Sequence, residues 1–230
     1  IHLAAKISVP DSINHPKSTF DTNVHGTQNV LDACLEDKIT TIIAASTAAV
    51  YQNFSAKTIF DEKSPTLPSS PYGASKLEME KKINDSTLTN KIYATVLRLF
   101  NVYGYGQSPE YAGVITQFKE KMNNNSPLTI YGDGSAVRDF VHIDDVTDAI
   151  ILGMKSSKHS TYNIASGTST SIIDLAKIMI TLSNKEIQIL YKPSRPGDIL
   201  YSAADITLAK TNLGFVPKIS LKSGLGQFIS

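Results

Sequence analysis

At 230 residues the chain is long enough for one large domain or two small ones, each with a core. Its composition, 41% hydrophobic and 19% charged, is that of an ordinary globular protein, and a net charge of +1 without a basic run gives nucleic acid or a membrane surface nothing special to bind. One cysteine, Cys34, excludes an internal disulfide framework and suits a reducing, cytoplasmic compartment, and no apolar run approaches the roughly 20 residues of a membrane span.

The opening run IHLAA reads as the carboxyl end of a buried strand. In residues 18–37, STFDTNVHGTQNVLDACLED, the apolar Val24, Val30, Leu31 and Cys34 recur at helical spacing. TTIIAAS (40–46) suits a strand buried on both faces. In SSPYGASK (69–76), Ser70 is a good N-cap and Pro71 a good first helical residue, so a helix is expected from there to about residue 86. YATVLRL (93–99) is another buried strand, and GVITQFKEKMNN (113–124) an amphipathic helix. LTIYGDGSAVRDFVHI (128–143) reads as two extended pieces joined by a Gly-Asp-Gly turn. DDVTDAIILGMK (144–155) is a helix started by Asp144 or Asp145, carboxylates favoured near a positive dipole end and so not read as metal ligands beside His142. A strand at 161–165, a helix at 171–183, a strand at 187–192 and short helices near 204–212 and 221–229 complete the chain. Strands alternating with helices predict an α/β fold, a Rossmann-like parallel sheet with helices on both faces.

Ligands in such sheets bind beyond the carboxyl ends of the strands. Ser46, Thr47 and Asn101 stand at those ends, and the helix bearing Tyr72 and Lys76 follows the strand that ends at Ser46 and Thr47. Tyr72 and Lys76, at i and i+4, share one helix face. Chance alone gives a chain of this composition roughly one Tyr-x-x-x-Lys match, so the pair decides nothing without its surroundings. The three arginines, Arg98, Arg138 and Arg195, are few against the many lysines. They are expected where a planar five-donor fork is needed, as on carboxylate or phosphate.

Eight separated motifs carry a resemblance: HLAAKISVPDSI (2–13), NVHGTQNVLDA (23–33), ASTAAVY (45–51), SPYGASK (70–76), LRLFNVYG (97–104), IYGDGSAVRDFVHIDDV (130–146), YNIASG (162–167) and RPGD (195–198). In this order and spacing, over nearly the whole chain, the sequence resembles the extended short-chain dehydrogenase/reductase family, in its nucleotide-sugar epimerase/dehydratase branch, nearest to the UDP-glucose 4-epimerases. The resemblance implies an NAD cofactor and a UDP-sugar substrate. It implies that Tyr72 is the general acid–base, Lys76 its partner and holder of the cofactor ribose, and Thr47 the hydroxyl that bonds the reacting sugar oxygen. It places Leu3, Ala4, Ala5, Asn23, Ser46 and Phe100 about the cofactor, with Asn23 a structural asparagine of its motif. Arg138 and Arg195 match a clamp on the substrate diphosphate. Asn101 and Asp198 match sugar-nucleotide contacts, Tyr131 lies by the base pocket, and Ser202 falls where the sugar pocket is gated. Arg98 has no ligand role in the pattern, and a buried structural ion pair is expected for it. A cation about 5 Å from a phenol, at an effective dielectric near 20, is worth ~3 kcal/mol, so Lys76 is expected to lower the Tyr72 pKa by roughly two units.

The resemblance also divides the chain. Residues 1–108 and 136–156 would form the cofactor domain, and residues 109–135 and 157–230 the substrate domain. A homodimer would form through the helices near 18–36 and 71–86. Dehydratases and decarboxylases of this branch carry an acidic residue just after the Ser/Thr; here Thr47 is followed by Ala48 and Ala49, which cannot move a proton. Epimerisation at sugar carbon 4 through a 4-keto intermediate is therefore expected, with a 4,6-dehydratase or reductase, or a non-catalytic nucleotide-sugar-binding fragment, as the alternatives. The chain departs from the pattern at Gln52, Tyr105 and Thr116, and it holds no glycine-rich strand–turn–helix. In the Rossmann order its first strand matches the fourth, so about 60–70 residues of an N-terminally truncated chain are expected to be missing. The truncated chain is expected to bind NAD weakly and to be inactive by itself.

Overall fold

The structure is a computed structural model that describes residues 1–52, 57–90, 92–107, 113–156, 158–195 and 198–229. The expected domain boundaries at 108/109 and at 157, and Pro196 and Gly197 of the RPGD motif, lie outside the described residues.

In chain order the elements are α1 (Val9–Asn14), α2 (Pro16–Phe20), α3 (Gly26–Glu36), β1 (Thr41–Thr47), β2 (Ile59–Phe60), α4 (Pro71–Asn90), β3 (Tyr93–Leu99), β4 (Asn101–Tyr103), α5 (Val114–Asn123), β5 (Leu128–Tyr131), β6 (Val137–His142), α6 (Ile143–Met154), β7 (Ser160–Ile164), β8 (Ser169–Ser171), α7 (Ile172–Ser183), β9 (Ile189–Lys192), β10 (Tyr201–Ala204) and α8 (Leu221–Ile229). A π-helical turn at Asp21–His25 joins α2 to α3, and a second lies at Ala209–Leu213.

The first sheet has the order β1-β3-β7 and is parallel throughout. The opening segment extends it by a single bridge, His2 to Ala44, with His2 N donating to Ile43 O and Ala45 N to His2 O. The strand expected there is thus present as one bridge. Alternate residues of β1 and β3 face opposite sides. Ile42, Ala44, Ala94 and Val96 pack with Leu31 of α3 and with Met79 and Ile83 of α4. Ile43, Leu97, Tyr162 and Ile164 pack with Val146 and Ala149 of α6 and with Phe215. Helices therefore cover both faces, which is why TTIIAAS and YATVLRL read as continuous apolar runs. Each fully buried Leu or Ile in these layers contributes about 1.5–3 kcal/mol of transfer free energy.

A second sheet runs β2-β10-β6-β4, parallel, with β8 added antiparallel to β6. β5 pairs in parallel with β9. The two extended pieces of 128–143 are present, but they do not pair with each other: β5 goes to β9 and β6 to the second sheet. The turn between them places Gly132 and Gly134 at φ of 71° and 80°, where a side chain is strained. β7, placed in the 157–230 unit, belongs to the first sheet, because pairing with β3 buries Tyr162 and Ile164 against Leu97. β6, placed in the 136–156 unit, belongs to the second.

Local signals at helix starts were followed unevenly. Ser70 caps α4 as expected, its Oγ accepting from Gly73 N at 3.1 Å. The cap of α6 is neither Asp144 nor Asp145. His142 holds that place, its Nδ1 accepting from Asp144 N at 3.2 Å. Asp145 is turned to the chain that follows, accepting from Lys218 N and Ile219 N. Among the described residues no helix is long and apolar enough to cross a membrane.

Candidate functional site

Thr47 closes β1 and starts a tight turn, its Oγ1 accepting from Ala49 N at 3.2 Å. Its proton is then free to be donated towards Tyr72, whose pKa Thr47 lowers. Tyr72 sits in the first turn of α4, and its backbone N donates to Ser12 Oγ of α1 at 3.1 Å. The neighbour, Gly73, lets the helix come this close. A Cβ there would stand 2.3 Å from Ala49 O. Thr47 and Tyr72 line one cavity of about 420 Å³, together with Phe100, Asn101, Tyr103 and Phe140.

Burial pushes the Tyr72 phenol above its ordinary value, and the Thr47 hydrogen bond pulls it partly back. The lowering expected from Lys76 is absent, since Lys76 is not among the groups that act on the phenol. Lys76 is itself deeply buried, at 4% exposure. Desolvation brings its pKa down to about 8, opposed by the attraction of Glu80. Its hydrogen bond is a weak one, to Met79 Sδ at 3.4 Å. A buried ammonium with a thioether for a partner has most of its donor capacity unspent.

Two residues expected at the cofactor are engaged elsewhere. The Ser46 hydroxyl donates to Glu80 in the interior. Asn23, carried inward by the π-helical turn, uses its whole amide on protein. Its Oδ1 accepts from Lys6 N at 2.7 Å, and its Nδ2 donates to Lys6 O and Ser75 Oγ, each at 2.9 Å. It anchors the Leu3–Lys6 segment and has both amide protons spent on protein. Leu3 and Ala4 are exposed and Ala5 half-buried along that segment, while Phe100 is buried at the cavity wall.

A second cavity, of about 190 Å³, gathers Tyr131, Arg138, Arg195 and Asp198, and shares Val114 of α5 with the first. The Arg195 guanidinium lies over the Tyr131 ring, 3.7 Å from its centroid. The Arg195 backbone N donates to Asp198 Oδ2 at 3.2 Å. Arg138 is half-buried and donates to Val137 O at 2.8 Å; burial lowers its pKa, and Asp198 opposes that. Two guanidinium groups against one carboxylate leave this cavity net positive, suited to an anion. Asn101 lies in the first cavity and donates to Asp139 O at 3.0 Å. Ser202 lines neither. It is buried beside a smaller cavity of about 110 Å³ with Ala48, Ala49, Tyr51 and Ser70.

Arg98 forms the buried ion pair expected of it. Nε donates to Glu80 Oε1 at 3.0 Å and Nη2 to Oε2 at 2.7 Å. Sequence reasoning missed the partner, Glu80. Its signal was the repeat Tyr72, Lys76, Glu80, three residues on one face of a single helix.

Comparison with known proteins gives this arrangement its relatives. The family described as GDP-mannose 4,6 dehydratase matches residues 1–228. A putative UDP-glucose 4-epimerase of Methanocaldococcus jannaschii is 35% identical over 234 residues, covering 100% of this chain and 75% of the relative. A UDP-glucose 4-epimerase of Thermotoga maritima, solved with UDP-glucose, superposes with a TM-score of 0.95 at 34% identity, over 99% of this chain and 74% of that one. A UDP-glucuronic acid 4-epimerase of Bacillus cereus, solved with UDP-glucuronic acid and NAD, superposes at 0.88 with 32% identity, over 98% and 72%.

Proposed function

The chain belongs to the GDP-mannose 4,6-dehydratase family, and we propose that it serves as an NAD-dependent UDP-sugar 4-epimerase. The observation that carries this reading is the cavity where Thr47 meets Tyr72. None of its lining residues, among those described, is a carboxylate, and the residue after Thr47 is alanine. A dehydratase needs a further proton-transfer group beside the keto sugar. An epimerase needs only that one group take the proton from the hydroxyl on carbon 4 and later return it.

In this reading the Tyr72 oxygen takes that proton while Thr47 bonds the same sugar oxygen and fixes its direction. A phenol held high by burial is a poor proton acceptor at neutral pH, so positive charge must arrive with the ligands to bring it into play. Arg138 and Arg195 hold the substrate diphosphate, with Tyr131 and Asp198 beside them, and Asn101 contacts the sugar nucleotide. The two cavities share Val114 in their linings, which supports a substrate lying across both.

The residues present fit the nicotinamide-ribose half of NAD. Lys76 has buried donors in want of oxygen acceptors, which ribose hydroxyls provide, and Phe100, Leu3, Ala4 and Ala5 offer apolar surface. NAD, when bound, supplies the hydride acceptor for carbon 4 and gives the hydride back to the other face. A homodimer through the helices near 18–36 and 71–86 belongs to the same reading, as does a cytoplasmic location.

The test is interconversion of UDP-glucose and UDP-galactose with NAD supplied, repeated with UDP-glucuronate and UDP-N-acetylglucosamine. Equilibration of a C4 epimer pair supports the reading and names the sugar. A keto or deoxy product in place of the epimer would put the dehydratase or reductase in its stead.

A further inference from the structure

A buried polar assembly lies one helical turn beyond Lys76, and none of the roles given above uses it. Glu80 is 3% exposed. Its carboxylate accepts twice from Arg98 of β3, and once from the hydroxyl of Ser46, the residue before Thr47 in β1. Arg98 Nη1 donates onward to the Tyr51 hydroxyl at 3.1 Å, and that hydroxyl donates to Asn163 Oδ1 at 2.6 Å. One carboxylate thus joins the carboxyl ends of β1 and β3 to the helix that carries Tyr72.

Buried ion pairs contribute little net stability compared with apolar residues of like volume, so the position of this one calls for another reason. Glu80 follows Lys76 by four residues on the same face of α4. Among the described residues, the titratable groups that act on Lys76 or feel it are Glu80 on its own helix and His2 on the opening segment, whose pKa is lowered by burial and then by Lys76. Arg98 stands behind Glu80 and is not among the groups acting on Lys76.

We propose that Glu80 is a positioning residue of this site: through Ser46 it fixes Thr47 opposite Tyr72, and its carboxylate is the counter-charge that keeps Lys76 an ammonium. The proposal rests on the reading of Tyr72 as the proton acceptor and of Lys76 as the group that holds the cofactor ribose. The property it concerns, the charge on Lys76, is present in the chain without any ligand.

The experiment follows the ¹³Cε resonances of labelled lysine through a pH titration of the whole chain, with Lys76 assigned by its loss in Lys76→Arg. The unaltered chain should titrate at Lys76 near pH 8. In Glu80→Gln the midpoint should fall by about one pH unit or more. That variant leaves Arg98 buried without its partner, so Glu80→Gln combined with Arg98→Gln is measured alongside. Its two amides can bond each other, and its midpoint should fall in the same direction. A midpoint that stays put or rises in either folded variant overturns the proposal and leaves Glu80 a packing role. The titration needs neither NAD nor a sugar, so its failure leaves the epimerase assay standing, and the reverse.

Discussion

Lys76 carries its charge to a place where a thioether and the carboxylate of Glu80 are what answer it. Its pKa is about 8 in the folded chain, against 10.5 for a freely hydrated lysine, so between those values the unfolded chain binds more protons and stability rises with pH. Below pH 8 the folded state bears the whole cost, on the order of 3 kcal/mol. Lys76→Met should therefore be more stable than the parent at pH 7, with the advantage shrinking as pH climbs from 8 towards 10.5. Urea unfolding at pH 7 and pH 9.5 checks this, and a variant weaker than the parent at pH 7 contradicts it. Tyr72→Phe works the other way. It should leave substrate binding nearly intact and cost the NAD-loaded enzyme at least ~100-fold in turnover, as removal of a general acid–base does; near-normal turnover would sink the assignment. At this scale, the meeting of Tyr72 with Thr47 in one cavity and of Arg138 with Arg195 in another was legible because each sits in a spaced motif. The engagement of Ser46 with Glu80, and of Asn23 with Lys6 and Ser75, was not, because those partners lie 34, 17 and 52 residues away. The shift of the Tyr72 phenol was misjudged for a related reason. Spacing gives the distance to a cation, whereas desolvation depends on everything packed around the ring.

The first turn of α4 is the element on which the site depends. Gly73 allows it to lie against the turn after β1, where a Cβ would meet Ala49 O at 2.3 Å and Pro68 Cβ at 2.9 Å. The first of these is backbone, which cannot step aside, so Gly73→Ala should cost about 1–3 kcal/mol and carry Tyr72 away from Thr47. Gly226→Ala in α8 is the matched control, since nothing stands within 4 Å of its added Cβ. Thermal melts of the two variants compare the costs directly; equal melting points would show that α4 yields without strain. The start of this helix could be read from Ser70 and Pro71 because N-capping is a local property. The start of α6 could not. Aspartates are common caps, and the choice of His142 followed from the pull of Lys218 N and Ile219 N on Asp145 from the far side of the fold.

Across the whole molecule, alternation of strand and helix was enough to give parallel sheets covered on both faces. Periodicity says nothing about which sheet a strand joins, so the pairing of β7 with β3 and of β6 with β4 and β10 could not be read from it. On the proposed reading the 230 residues supply groups for a nicotinamide ribose and for a diphosphate, and they hold no glycine-rich turn for a dinucleotide pyrophosphate. The chain by itself should therefore hold NAD weakly. Near-stoichiometric NAD released on denaturing it, measured by absorbance or enzymatic cycling, would refute this. The clasp of Asn23 on Lys6 has its own consequence for how the molecule opens. The first residues touch the sheet at one bridge, so the carboxamide is a latch closed by two short bonds outside the strand ladder. The Lys6 amide should exchange with solvent deuterium as slowly as its neighbours in β1, and Asn23→Ala should turn the same lysine into an early tryptic cut.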